Sequence, residues 1–259
     1  MNSKERLQTA LAHQEPDRVP YMATFVPEVE VELKRRFASE IQQIQDAGQM
    51  KYQGMSALDI LFGHDMLLLT YGLSTGYYRD APGDTYRDEW GITWKKIPYR
   101  TPRGTGWYTE IVDFPLADER RLDSWRPPDP DSEDMAYAEG VIAAYGREKY
   151  ICGIIDCSIF EALKYLRGIT QSLIDVVANK ELAHRIMDLS VDYHLKLGLK
   201  LIERGVDILW LADDIGGEHA MLMSPETFRE MVKPKMGFMI GELKRRGPGV
   251  KVAFHSDGF

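Results

Sequence analysis

A chain of 259 residues, 44% hydrophobic and 28% charged, has the composition of an ordinary globular protein, long enough for one α/β barrel or two smaller domains. Its formal net charge of −8 argues against nonspecific nucleic-acid binding, which needs a basic face to displace counterions. No apolar run approaches the roughly 18 residues of a membrane span, and the N-terminal MNSKERLQTA is polar rather than signal-like.

Asn2 is placed to cap a first short helix, with Glu5 where a capping box wants its acid and Leu7 and Leu11 on one face. Pro16-Asp17-Arg18 breaks that helix, and Val19 to Phe25 reads as a strand. Helix character returns from Glu28 to Phe37, and an irregular polar region runs to about Gly54. His64 to Leu69 reads as a short buried strand. From Tyr86 to Phe114 the chain alternates strictly (Trp90, Ile92, Trp94, then Tyr108, Glu110, Val112, Phe114) around Pro102-Arg103-Gly104. That pattern predicts an antiparallel hairpin, a subdomain inserted over 86–114. Arg126 to Asp131, with three prolines, is an extended connector.

After Tyr150 strands and helices alternate cleanly. Tyr150 to Asp156 is an isoleucine-rich strand. Cys152 and Cys157, five apart, point to opposite faces and are not easily bridged, so a reducing cytoplasm is the expected address. Lys180 to Arg204 is a helix closed by Gly205, and Val206 to Leu211 is a strand. Ser224-Pro225 caps a helix whose stripe runs through Phe228, Val232, Met236, Ile240 and Leu243 to Gly247, and Val250 to Phe254 is the final strand. The order means a parallel sheet covered by helices, with about five parallel strands near 20, 66, 152, 208 and 252. A closed barrel needs eight and an open doubly wound sheet five or six, so the count alone leaves both open. Unpaired edges in such a sheet predict either association through the strand near 252, with a homo-oligomer as one form of it, or poor order there.

Chemistry in parallel α/β folds sits at the carboxyl ends of the strands. Asp213-Asp214-Ile215-Gly216-Gly217 follows one strand; it suits a metal or a cationic group, or is a solvated turn. His255 and Asp257 alternate out of the last strand as two metal ligands, or a base beside its orienting acid, or a hydrogen-bonded loop pair. Asp156, Cys157 and Glu161 end the Tyr150 strand; the thiol is a ligand or a small buried side chain, and Glu161 can simply open the next helix. Tyr77, Tyr78, Trp90, Trp94, Trp107 and Tyr108 either line a pocket for a flat ligand or form the core of the hairpin subdomain.

Several segments resemble the uroporphyrinogen decarboxylase superfamily in matching order. They are Lys4-Glu5-Arg6 through His13-Gln14-Glu15-Pro16-Asp17-Arg18-Val19-Pro20, Asp88-Glu89-Trp90-Gly91, Glu161 to Gly168, Gly205-Val206-Asp207-Ile208, Asp213-Asp214-Ile215-Gly216, Ser224 to Glu230, Pro234 and His255-Ser256-Asp257-Gly258. The resemblance implies a single TIM (β/α)8-type barrel domain over 1–259, cut short after about five strands, since the family barrel continues past the His-Ser-Asp-Gly segment.

The superfamily holds decarboxylases of haem biosynthesis and corrinoid-dependent methyltransferases, many of them zinc enzymes. The decarboxylases grip substrate carboxylates with an arginine-rich segment; the corresponding Tyr21-Met22-Ala23-Thr24-Phe25-Val26-Pro27-Glu28 has no arginine. The methyltransferases often carry His-x-Cys where this chain has His255-Ser256-Asp257, which keeps a candidate zinc ligand but makes the site harder. The expected function is therefore methyl transfer from a small substrate, such as an aryl methyl ether, to a corrinoid on a partner protein. Uroporphyrinogen decarboxylation is the alternative, and an inactive or binding-only truncated member a further one. The resemblance implies Asp214, His255 and Asp257 as catalytic residues and His255, Asp213 and Asp257 as metal ligands, with Phe25, Glu28, Tyr77, Asp156 and Glu161 against the substrate.

Overall fold

Short apolar runs between helices become strands of a covered parallel sheet, the inner ones buried on both faces because nothing in them offers a wet side. The computed structural model describes residues 1–44, 56–77, 81 and 83–258. In chain order the strands are β1 (Met66–Thr70), β2 (Thr85–Arg87), β3 (Thr93–Thr101), β4 (Gly104–Asp113), β5 (Tyr150–Ile154), β6 (Ile208–Ala212) and β7 (Lys251–His255). β1, β5, β6 and β7 lie side by side in that order and are all parallel, so every carboxyl end points the same way. β7 is an edge of this sheet, as expected.

The register aligns whole rows across the sheet: Leu68 with Cys152, Ile208 and Lys251, and Thr70 with Ile154, Trp210 and Ala253. Alternation then gives two layers. Leu67, Leu69, Ile151, Leu209 and Leu211 face the covering helices and join the main core. Leu68, Cys152, Ile154 and Ile208 form a second cluster on the other face, with Met66, Trp210, Ala253, Leu7 and Met22 packed against it. Cys152 and Cys157 are both buried and free, and they fall in different layers as the spacing requires.

Local signals were accurate at the helices. Asn2 and Glu5 form the capping box of Ser3–Leu11. Lys180–Arg204 runs unbroken until Gly205 turns left-handed at φ 96°, a conformation only glycine adopts cheaply. The expected single helix after Ser224 is instead two, Pro225–Met231 and Lys233–Arg246. They meet at Val232, because Pro234 has no amide to continue the first ladder.

Two strand expectations need correction. Val19 to Phe25 forms no strand, so the described parallel strands number four rather than five. Pro20 lacks an amide, and the Tyr21 amide is taken by the Asp65 carboxylate at 2.9 Å, leaving a single backbone bond from Asp65 N to Tyr21 O. Val19 is 81% exposed. The hairpin over 86–114 is real, β3 pairing with β4 from Thr93 to Asp113, but β2 joins it as a third strand. Asp65 also binds Arg6 and Arg18, at 2.6 and 2.7 Å, which ties the N-terminal segment to the foot of β1. The irregular region holds a short helix, Ala38–Ile41, followed by a turn over 42–44; from 45 to Gly54 it lies outside the described residues, as do Tyr78 and Phe259. Among the described residues, no helix is long and apolar enough to cross a membrane.

Candidate active site at the strand ends

The two adjacent aspartates after β6 separate by the parity of the strand. Asp213 continues the Leu209–Leu211 face, toward the helices, and is fully buried. Its carboxylate accepts the amides of Ile159 at 3.0 Å and Glu161 at 2.6 Å, capping the helix Phe160–Arg167. Burial pushes this carboxyl up to about 8, against the pull of those amides. Asp213 is thus spent on the fold and stands outside the metal-ligand group expected of it.

Asp214 continues the Trp210 face, and there it meets β7. His255 Nε2 lies 4.0 Å from Asp214 Oδ1 and 3.3 Å from Asp257 Oδ1. The Asp257 amide donates to Asp214 Oδ1 at 2.8 Å, which holds the segment after β7 against the end of β6. Trp210 packs against the imidazole at 5.7 Å between ring centroids. One ligand atom from each of Asp214, His255 and Asp257 lies within 4.8 Å of the others. Imidazole nitrogen and carboxylate oxygen are zinc donors at about 2.0–2.2 Å, so ligand atoms sharing one ion sit a few ångströms apart. The donor set fits a hard or borderline divalent cation with a position left for substrate.

Beside this group, at the end of β5, Asp156 belongs by register to the same row as Ala212 and His255. The residue is only partly buried, but its Oδ1 is sealed from solvent, with the Ser74 hydroxyl as its neighbour. Burial raises the carboxyl to about 6; the neighbouring Ser74 hydroxyl opposes this, and the negative charge of Glu161 and Asp214 adds to it. The hydroxyls of Thr70 and Ser158 are buried without a partner.

Glu161 is committed locally: Oε1 accepts from Lys164 at 3.1 Å and Oε2 from the Cys157 thiol at 3.4 Å. Burial pushes that thiol well up, so Cys157 fits the small buried side chain rather than a thiolate ligand. Lys164, which the sequence reading passed over, also donates to the Asp214 carbonyl at 3.1 Å. It therefore ties the Phe160–Arg167 helix to the end of β6.

The remaining expected substrate positions lie elsewhere. Phe25 packs on Phe62 and His64. Glu28 accepts from the Tyr99 hydroxyl at 2.9 Å, fastening the helix Pro27–Arg36 to the antiparallel sheet. Tyr77 meets Trp94 edge to face and lines a cavity of about 420 Å³ between that sheet and the Phe160–Arg167 helix, with Tyr165 and Lys164 on the opposite wall. Of the aromatic concentration, Trp90 and Trp94 are core.

Comparison with known proteins agrees with this layout. A methyltransferase from Methanosarcina mazei shares the fold with a TM-score of 0.66 at 17% identity, over 100% of this chain and 70% of that one. The common architecture is the TIM-type barrel with its helices on the outside. No curated protein matches the chain. The sequence profile described as uroporphyrinogen decarboxylase (URO-D) matches residues 101–259, more than half of the chain and the part that holds β5, β6, β7 and the Asp214–His255–Asp257 group. The chain belongs to the uroporphyrinogen decarboxylase family.

Proposed function

We propose that the protein is a methyltransferase-type enzyme of this family, moving a methyl group from a small methylated substrate, such as an aryl methyl ether, to a corrinoid carried by a partner protein. The observation that carries the reading is the convergence of His255, Asp214 and Asp257 at the ends of two neighbouring strands. A polycarboxylate substrate fits poorly there. The Tyr21–Glu28 segment has no arginine, Lys164 is already bonded to Glu161, and Asp156, Asp214 and Asp257 line the same ends.

Zinc is the cofactor the donor set suits, held by His255, Asp214 and Asp257; when bound, it supplies a Lewis acid to the substrate's methyl-bearing oxygen. The protein's own part is positioning. Trp210 restricts the His255 ring from below, and the Asp257 amide fixes the Asp214 carboxylate, so the donors are held before a ligand arrives. The Asp213 cap and the Lys164 bond to the Asp214 carbonyl hold the backbone beneath them.

Metal analysis with zinc titration calorimetry tests the reading, alongside methyl transfer from an aryl methyl ether to a free corrinoid. The wild-type protein should take up one zinc per chain, and His255→Ala should lose it with an unchanged circular dichroism spectrum. Equal uptake by both proteins, or none by the wild type, would remove the basis for the assignment.

A further inference from the structure

One backbone can press closely on another only where no Cβ stands between them, so facing glycines record a spacing that other residues do not permit. Gly216 and Gly258 face each other in this way, the first two residues after Asp214 and the second one residue after Asp257. A Cβ built on Gly216 would lie 2.4 Å from the Asp257 carbonyl oxygen and 2.7 Å from the Gly258 carbonyl carbon. One built on Gly258 would lie 2.7 Å from both the Gly216 carbonyl carbon and the Gly217 oxygen. All four are backbone atoms, which cannot swing aside as the tip of a side chain can.

We propose that Gly216 and Gly258 form a clasp that sets the spacing of Asp214 and Asp257, which makes them positioning residues for the Asp214–His255–Asp257 group. This deepens the methyl-transfer reading and rests on it for what the group then binds.

Hydrogen bonds and backbone angles carry the argument. Asp214 leads into a small turn of its own, closed by the Gly217 amide on the Ala220 carbonyl at 2.7 Å and the Leu222 amide on the Ile215 carbonyl at 2.8 Å. Those bonds fix the shape of the turn, not its distance from the segment after β7. Two others span the gap: the Asp257 amide donates to Asp214 Oδ1 at 2.8 Å and the Ile215 amide to Ser256 Oγ at 3.2 Å. Both need the two backbones in contact. A methyl group on Gly216 would have to retreat from 2.4 Å to an ordinary 3.4 Å from the Asp257 oxygen, parting the segments by about 1 Å. A binding constellation tolerates roughly half of that. Gly258 has a φ of 83°, which strains any side chain, whereas Gly216 lies outside the left-handed region. Substitution at Gly216 therefore tests the contact alone.

Gly216→Ala in the full chain is the test, read by amide hydrogen exchange in NMR spectra before zinc is added and by zinc titration calorimetry afterwards. The Asp257 and Ile215 amides should exchange about tenfold faster than in the wild type, the loss of one ordinary hydrogen bond each, while the β6–β7 ladder amides keep their protection. Zinc should bind about 10–100-fold more weakly, as when a group that orients a metal ligand is lost. Gly249→Ala, at a glycine whose Cβ would meet nothing within 4 Å, should change neither readout. The clasp is overturned if both amides exchange at the wild-type rate in Gly216→Ala, if the ladder amides lose protection with them, or if wild type and variant bind zinc equally tightly. A wild type that takes up no zinc, with the exchange difference intact, would instead uphold the clasp and refute the proposed function.

Discussion

Truncating either of two adjacent aspartates to alanine should produce opposite phenotypes, because strand parity sends them to different layers. Asp213→Ala removes the acceptor for the amides of Ile159 and Glu161, which open the Phe160–Arg167 helix and have no intrahelical partner. Each buried amide left unpaired costs about 1–3 kcal/mol, so the pair costs about 3 kcal/mol even if one finds water. Unfolding entropy near 2.1 cal/mol/K per residue gives about 0.5 kcal/mol/K for this chain, so the melting temperature should fall by about 5–6 °C.

Asp214→Ala gives up one acceptor, for the partly exposed Asp257 amide, and should cost under about 1 kcal/mol. It should nonetheless weaken zinc binding by about tenfold or more, as losing a carboxylate at a metal site does. Differential scanning calorimetry and zinc titration on both variants decide the matter. If Asp214→Ala lowers the melting temperature as much as Asp213→Ala does, or if Asp213→Ala loses zinc while melting normally, the two-layer assignment is wrong.

At the opposite end of the sheet, Asp65→Asn should destabilise the fold by about 3 kcal/mol, because it leaves the buried Arg6 guanidinium with Asp17 as its one charged partner among the described residues. Denaturant unfolding measures this, and a loss below about 1 kcal/mol would show the network to be dispensable. Asp88 gives a pH signature. Burial raises its carboxyl to about 6, against hydrogen bonds from Trp94 Nε1 and the Ile92 and Trp90 amides, while the unfolded value is about 3.9. The folded state therefore holds this proton longer. Its contribution should be fully present below about pH 4 and fall away by about pH 6, a change of about 3 kcal/mol. Melting temperatures of wild type and Asp88→Asn across that range should differ in slope in that window alone; parallel curves would contradict the raised value.

Local chemistry in the sequence determined most of the elements. The Asn2–Glu5 box, the Gly205 stop and the apolar runs of β1, β5, β6 and β7 each depend on neighbours within a few residues, so they read correctly without a fold. The same is true of the family, whose profile matches residues 101–259. Pro234 stood in plain view inside the Phe228–Leu243 stripe, and it split the expected helix.

What tertiary structure decided was pairing. Val19 to Phe25 has strand composition, yet Asp65, distant in sequence, takes the Tyr21 amide that a ladder would need. Asp213 and Asp214 look equivalent in a row of letters. Only the knowledge that helices cover the Leu209–Leu211 side makes one a cap and leaves the other to His255 and Asp257. The buried hydroxyl of Thr70, left without a partner at the end of β1, is the extreme case. A missing partner is a property of everything packed around an atom, and no local pattern in a sequence records it.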